Sequence, residues 1–220
     1  MRMPNEAHTK HPWRVHSLAS DFQFLDVWRY PAEIKNEVPL STFTAFMRAQ
    51  QDELVSGTSA AGMLFRLREQ MGELFGWDDV DEDPTVSRGR TARKGSLRHR
   101  LTEADHAATA RSVGDTRNFL GPGFQPVYIF EDELLLEVQN VTVHALVHLA
   151  RVPIDILYWS PQMAVYVNPL GHLGMFYMSM ISPFRHGVVY PAMMRATEKE
   201  WPKWLEARQR AERAKPAARE

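Results

Sequence analysis

The sequence predicts an α+β fold, in which an antiparallel β-sheet has one apolar face covered by helices, the longest of them C-terminal. Between residues 126 and 168, four segments alternate apolar and polar side chains and are joined by very short connections, as neighbouring antiparallel strands are. Segments with helical periodicity precede and follow these strands. The length of 220 residues, of which 44% are hydrophobic and 24% charged, fits one soluble globular domain with a long connection.

The first part of the chain contains one predicted strand and two predicted helices. Aromatic side chains at alternate positions predict a strand over residues 21–30, with Asp26 interrupting the aromatic face. An apolar stripe at helical spacing predicts a helix over residues 42–55. A second stripe predicts a helix over residues 60–75, and Gly76 follows it where a left-handed C-terminal cap is expected.

Residues 78–123 are predicted to form a charged excursion on the surface. An acidic block at residues 78–83 precedes a basic block between residues 88 and 100, with few apolar residues, and one short helix is predicted near residues 102–111. A nucleic-acid-binding arm is the alternative. The blocks neutralise each other and no aromatic residues lie among the basic ones, so a solvated loop is favoured and nucleic acid is not an expected partner.

Four strands of a meander are predicted over residues 127–131, 133–139, 141–152 and 162–168. One face is apolar and consists of Leu134, Leu136, Val138, Val143, Ala145, Val147, Leu149, Met163, Val165 and Val167. The other face is polar and includes Glu133, Glu137, Gln139, His144, His148, Gln162, Tyr166 and Asn168. We expect the apolar face to be covered and the polar face to tolerate water.

The cover of the apolar face is predicted as a C-terminal helix over residues 170–213. Its first part is apolar nearly all round but too short to span a membrane. Ser182 and Pro183 predict a break and a restart, and Pro191 and Pro202 are expected to bend the remainder. The single domain is therefore expected over residues 11–204, between a flexible N-terminus (1–10) and a polar tail (205–220).

Several short sequence segments resemble those of a known family, and the resemblance extends over roughly residues 12–204. They are residues 11–15, 96–98, 142–144 with His148 and Leu149, 162–165, and 183–186 with Tyr190 and Pro191. They resemble an uncharacterised bacterial domain-of-unknown-function family in or near the SRPBCC/START (birch-pollen-allergen-like) superfamily. The resemblance implies a helix-grip fold, in which a curved antiparallel sheet grips a long C-terminal helix and leaves a pocket. Relatives are sometimes fused to a nucleotide-binding oxidoreductase domain, which this sequence does not contain.

Charge and composition exclude several classes of protein. The net charge of −1 gives no field that would attract nucleic acid or anionic lipid, and the absence of cysteine excludes disulfides and thiolate chemistry. No apolar signal-peptide core precedes Trp13, so a cytoplasmic location is expected. The sequence has no phosphate-binding loop or dinucleotide fingerprint, so no cofactor is expected. Because His144 and His148 lie about 13 Å apart on a strand, no metal is expected either.

Methionine clusters in the predicted cover and on the last strand. Six of the 11 methionines fall between residues 163 and 194, and flexible, polarisable methionine is common where a surface adapts to apolar ligands. For any single methionine, the alternative is that it simply fills space in the hydrophobic core. The candidate ligand-binding residues are Met163, Val165, Met175, Met178 and Phe184.

Arg185 and His186 are the candidate catalytic residues, with Tyr190 nearby, because they follow a helix break in the most apolar part of the chain. Such a pair can anchor a carboxylate or carbonyl or move a proton, although pairing with a surface carboxylate is the alternative. Three functions follow as hypotheses. They are binding of a small apolar molecule between sheet and helix, a polyketide cyclase- or dehydratase-like enzyme, and an accessory subunit, for instance of an oxidoreductase.

Overall fold

The structure is a computed structural model and describes residues 1–56, 95–112, 124–139, 143–169, 182–183 and 185–214. Seven strands form one antiparallel sheet. They are β1 (Arg2–Met3), β2 (Gln23–Arg29), β3 (Ile34–Lys35), β4 (Gln125–Ile129), β5 (Glu133–Gln139), β6 (Val143–Pro153) and β7 (Tyr158–Pro169). The helices are α1 (Glu6–Thr9), α2 (Arg14–Leu18), α3 (Leu40–Ser56), α4 (Glu103–Arg111) and α5 (Tyr190–Ala214).

The strand order is β1-β2-β7-β6-β5-β4, and β3 pairs with β7 beyond the end of β2. The first long strand therefore pairs with the last one, and β4 to β7 form a meander of neighbours. The predicted meander and the α+β class are confirmed. Among the described residues, no helix is both long and apolar enough to cross a membrane.

The main core lies between one face of the sheet and the helices α3 and α5. The apolar residues predicted on β5, β6 and β7 point into it, including Leu134, Val147 and Met163. Phe43 of α3 packs against Trp201 of α5, with ring centroids 5.5 Å apart. Here α3 confirms the helix predicted over residues 42–55, and α5 forms the C-terminal part of the predicted cover.

The opposite face of the sheet is not exposed to water, which corrects the expectation from its polar side chains. Glu133, Glu137, His144 and His148 are all less than 9% exposed. The N-terminal segment and residues 95–101 cover this face, and their apolar side chains form a second core with Leu135, Leu146 and Ala164. The first ten residues, expected to be flexible, instead form β1 and α1 and bury His8 completely.

Part of the predicted charged excursion is packed against this second core. Ser96 and Leu97 are 3% and 0% exposed. Ser96 caps a 3-10 helix that begins at Leu97 and ends at Arg100. The short helix predicted near residues 102–111 is confirmed as α4, whose N-terminus is capped by a reciprocal pair of hydrogen bonds between Thr102 and Asp105. The predicted helix over residues 60–75 and the two charged blocks up to residue 94 lie outside the described residues.

The alternation predicted for residues 21–30 is interrupted by a β-bulge in β2. Phe24 pairs with Tyr166 and Asp26 with Val165, so that Leu25 is one extra residue between them. Phe24 consequently lies on the second face with Val27, whereas Trp28 lies in the main core. The prediction that all the aromatic residues of this strand share one face was therefore wrong.

Candidate functional site

Asp26 is the centre of a polar cluster inside the main core. It lies on β2 opposite Val165, in the same row across the sheet as Val147 and Leu136, and its carboxylate is fully buried. Its Oδ2 accepts hydrogen bonds from Arg185 Nη2 at 2.7 Å and from His186 Nε2 at 2.8 Å. Two groups that can carry positive charge thus converge on one carboxylate oxygen, which offsets the cost of burying it.

A π-helical turn over Arg185–Val189 positions both partners of Asp26. This turn leads directly into α5, and π-turns are rare elements that occur often at functional sites. It presents two consecutive residues, Arg185 and His186, to the same carboxylate oxygen. The Arg185 and His186 side chains remain 15% and 26% exposed, whereas the Asp26 carboxylate is fully buried.

Aromatic rings enclose the cluster on the core side. Tyr190 packs against Trp28 with ring centroids 4.8 Å apart, and the Arg185 guanidinium lies 5.6 Å from the centroid of the Tyr190 ring. The Trp28 ring also stacks with His186. Burial raises the pKa of Tyr190, so its hydroxyl remains protonated at neutral pH. The three catalytic candidates, Arg185, His186 and Tyr190, therefore lie together, as part of one cluster.

His186 connects the buried carboxylate to a hydroxyl group. With the imidazole Nε2–H donating to Asp26, its Nδ1 is left to accept a hydrogen bond from Ser182 Oγ, 3.3 Å away. This chain of hydroxyl, imidazole and carboxylate fixes the orientation of the ring and leaves Nδ1 as its basic nitrogen. The site can therefore hold or move a proton at Nδ1.

The cluster also contains polar atoms without a protein partner. Among the described residues, seven buried side-chain nitrogen or oxygen atoms make no hydrogen bond, and three of them lie here. They are Asp26 Oδ1, Trp28 Nε1 and Arg185 Nε. An unpartnered buried polar atom is costly, and this one cluster contains an acceptor and two donors of that kind.

The predicted ligand-binding residues are only partly described. Met163 and Val165 are 3% and 6% exposed and belong to the main core, where the sulfur of Met163 accepts a hydrogen bond from the Tyr30 hydroxyl at 3.5 Å. Met175, Met178 and Phe184 lie outside the described residues. The structure thus places Met163 in the same core as the Asp26 cluster, paired across the strands with Trp28.

The second core contains two similar units, each built on a buried glutamate of β5. Glu133 accepts hydrogen bonds from His148 Nε2 at 2.7 Å, the Tyr128 hydroxyl at 2.6 Å and the Arg14 backbone N–H at 3.0 Å. Glu137 accepts them from His144 Nε2, the Ser96 hydroxyl and the Leu97 backbone N–H. In both units the histidine is the diagonal neighbour on β6.

These contacts determine the charge of the two glutamates. Burial alone would raise the pKa of Glu133, but the hydrogen bonds from His148 and Tyr128 outweigh it and hold that pKa below its usual value. The pKa of Glu137 is lowered in the same way, against the effect of burial, by His144 and Ser96. Burial lowers the pKa of His148. Both carboxylates are therefore ionised at neutral pH, and each tethers covering segments to the sheet.

His8 joins this network from α1. Its Nδ1 lies 3.3 Å from Gln162 Oε1 and its Nε2 lies 2.8 Å from the Tyr166 hydroxyl. In the neutral tautomer that satisfies both contacts, Nδ1 donates to the amide oxygen and Nε2 accepts from the hydroxyl. Burial and the neighbouring His148 and His16 lower the pKa of His8 to about 2. The N-terminal segment is thus held by a neutral imidazole.

Sequence reasoning missed the role of Asp26, although a signal was present. A single carboxylate in an aromatic strand was noted only as an interruption, and its partners are 159 and 160 residues away along the chain. His144 and His148, considered as metal ligands in the sequence, are each paired with a different glutamate. In the part of the chain that the structure describes, no three His, Asp or Glu residues are arranged to hold a metal ion.

The fold and the site define a class: an α+β protein whose antiparallel sheet carries a carboxylate-centred polar cluster next to its C-terminal helix. Residues 18–193 match the model of the family described as a protein of unknown function, DUF2867, and the chain belongs to that family. The predicted membership of an uncharacterised domain-of-unknown-function family is therefore confirmed. No curated protein and no solved structure matches the chain.

Proposed function

We propose that this protein binds a small, largely apolar molecule through a polar group placed at the Asp26 cluster. The observation that carries the proposal is the set of three buried, unpartnered polar atoms of Asp26, Trp28 and Arg185. A carbonyl or carboxylate oxygen of the ligand would accept from the two N–H groups, and a hydroxyl would donate to Asp26 Oδ1. The surrounding aromatic residues would contact the apolar part of the ligand.

We propose in addition that the sheet and α5 are arranged as in a helix-grip fold of the SRPBCC/START type. Two observations support this. The first long strand β2 pairs with the last strand β7, and the C-terminal helix packs on the apolar face of the meander. In that arrangement a ligand would lie between sheet and helix, on the side where Arg185 and His186 are partly exposed.

Fluorescence of anilinonaphthalene sulfonate, an apolar probe with an anionic group, tests the binding proposal. We expect saturable binding to the wild-type protein, and Arg185→Met to weaken it at least about tenfold, as the loss of a charged hydrogen bond would. Arg210→Met, which removes an exposed arginine of α5, is the matched control and should change nothing. Equal affinity in all three proteins, combined with a large loss of thermal stability in Arg185→Met, would show that Arg185 has only a structural role.

A second candidate function is acid–base catalysis on the same class of molecule. The observation that favours it is the hydrogen-bonded chain from Asp26 through His186 to Ser182, with His186 Nδ1 left as the basic nitrogen. His186 would remove a proton from the carbon next to a carbonyl and return it at the same or another atom. Arg185 would stabilise the negative charge that develops on the oxygen.

Hydrogen–deuterium exchange at the methyl group of acetophenone in D2O, followed by NMR, tests this candidate. We expect the wild-type protein to accelerate the exchange, and His186→Gln to reduce that acceleration at least about 100-fold. His106→Gln, at an exposed histidine of α4, is the control and should keep the full rate. Exchange at the buffer rate in the presence of the wild-type protein would contradict proton abstraction from such ketones.

A further inference from the structure

The β6–β7 hairpin extends past the ends of β2 and β5, and β3 pairs with the extended part of β7. Glu133, the first residue of β5, pairs with Ala150, and β6 continues for three more residues to Pro153. The hairpin therefore extends about 10 Å past the end of β5. The turn between β4 and β5 lies at the same end, because the Arg151 N–H donates to the Asp132 carbonyl at 2.8 Å.

The tip of this hairpin, residues 154–157, displays large aliphatic side chains to solvent. Ile154, Ile156 and Leu157 are 42%, 90% and 62% exposed. Among the described residues, the only other large hydrophobic side chain exposed to this extent is that of Met1. Adjacent exposed aliphatic residues on a soluble protein mark an interaction surface.

The tip is held in a fixed conformation. The Asn36 backbone N–H donates to the Leu157 carbonyl at 2.8 Å, and its side-chain amide donates to the Ile156 carbonyl at 2.7 Å. Asp155 Oδ1 accepts from the backbone N–H groups of Leu157 and Tyr158. Since these hydrogen bonds already hold the backbone of the tip, little backbone entropy is lost when a partner covers it.

The charges near the tip argue against a membrane as its partner. Four acidic residues (Glu33, Glu37, Asp132, Asp155) and two basic residues (Lys35, Arg151) lie on the segments that border it. An anionic lipid surface attracts clusters of lysine and arginine, so this excess of negative charge is unfavourable there. A protein surface with an apolar recess would fit better.

The same chain carries such a recess at the same end of the sheet. A cleft of about 600 Å³ opens between the start of α3, the end of α4 and the β4–β5 turn. Its apolar wall includes Leu40, Ile129, Phe130 and Leu134, and Arg111 and Glu131 lie at its edge. Within the described part of the chain, Arg111 makes no ion pair. It can therefore pair with Asp155 of a tip that enters the cleft.

We propose that two copies of this chain form a symmetric dimer in which the hairpin tip of each copy occupies the cleft of the other. The hairpin tip and the cleft lie at the same end of the sheet. A two-fold axis beside them therefore creates two equivalent tip-to-cleft contacts, and no further copy can be added. The dimer would bury the aliphatic side chains of the tip and pair Asp155 with Arg111 across the interface.

The absence of cysteine from the sequence allows a direct test. In the variant carrying both Ile156→Cys and Glu131→Cys, mild oxidation should give a disulfide-linked dimer, which the variant with Ile156→Cys alone should not form in the same yield. Sedimentation should show a dimer for the wild-type protein, a monomer for Ile156→Asp and a weakened dimer for Arg111→Glu. Lys199→Asp, on the exposed side of α5, is the control and should remain dimeric.

A wild-type protein that stays monomeric throughout the micromolar range would overturn the proposal. A dimer that Ile156→Asp does not weaken would also overturn it, because the tip would then lie outside the interface. A monomer that binds neutral lipid vesicles through Ile156 would assign the tip to a membrane instead. Arg185→Met lies outside both contact regions and should leave the dimer intact, so this test is independent of the proposed ligand site.

Discussion

Replacing Glu133 with alanine will lower the free energy of unfolding by about 3–5 kcal/mol, the range for removing one member of a buried charged network. The carboxylate receives hydrogen bonds from His148, from Tyr128 and from the backbone of Arg14. The substitution leaves three donors unpaired in the second core and removes the link between β5 and α2. Urea denaturation at neutral pH measures the loss as a shift of the midpoint at unchanged slope.

Two further variants distinguish the effect of losing the hydrogen-bond network from the effect of removing a glutamate side chain. Glu133→Gln keeps one acceptor oxygen and should give an intermediate loss of stability. Glu33→Ala removes an exposed glutamate for which no partner exists among the described residues, and it should change the free energy by less than about 0.5 kcal/mol. If Glu133→Ala were as stable as Glu33→Ala, the second face would be solvated, as its polar side chains first indicated.

Lowering the pH from 7 to 5 will destabilise the protein by about 2 kcal/mol through His8 alone. The pKa of His8 is 6.5 in the unfolded chain and about 2 in the folded protein. Its contribution is therefore complete above pH 6.5 and is lost progressively as the pH falls below that value. His148, whose pKa burial also lowers, acts in the same direction. Glu133 and Glu137 make the unfolding free energy depend on pH only below about pH 4.5, because the folded protein lowers the pKa of each from 4.5.

The slope of the unfolding free energy against pH, measured between pH 5 and 6, tests this prediction. His8→Gln should reduce the slope by about 1.2 kcal/mol per pH unit, the equivalent of slightly less than one proton. His106→Gln is the control, since His106 is exposed on α4. The same slope in both variants would show that His8 is protonated in the folded state and does not hold α1 in its neutral form.

The local patterns of the sequence determined the strands and helices well. The alternation over residues 133–139 and 141–152 located β5 and β6, because alternate residues of a strand lie on opposite faces. The stripe containing Phe43 and Phe46 located α3, and the short helix predicted near residues 102–111 corresponds to α4. Such patterns depend on neighbours in the sequence, so the sequence alone is sufficient to reveal them.

The burial of polar side chains could not be predicted in the same way. Glu137 and His144 alternate with apolar residues as solvent-facing residues do, and nothing in their own segments shows that Ser96 and Leu97 cover them. Similarly, the bulge at Leu25 changed the face of the aromatic residues of β2, because one extra residue shifts the alternation.

The sequence by itself determined the α+β class, the meander and the residues that form its apolar face. It also singled out Arg185, His186 and Tyr190, because ionisable residues in an apolar stretch are unusual at any position. Only the tertiary structure brought Asp26 to Arg185 and His186, and the N-terminal segment to the glutamates of β5. The physical reason is that these contacts join residues far apart in the chain, whose meeting depends on strand order and packing rather than on local periodicity.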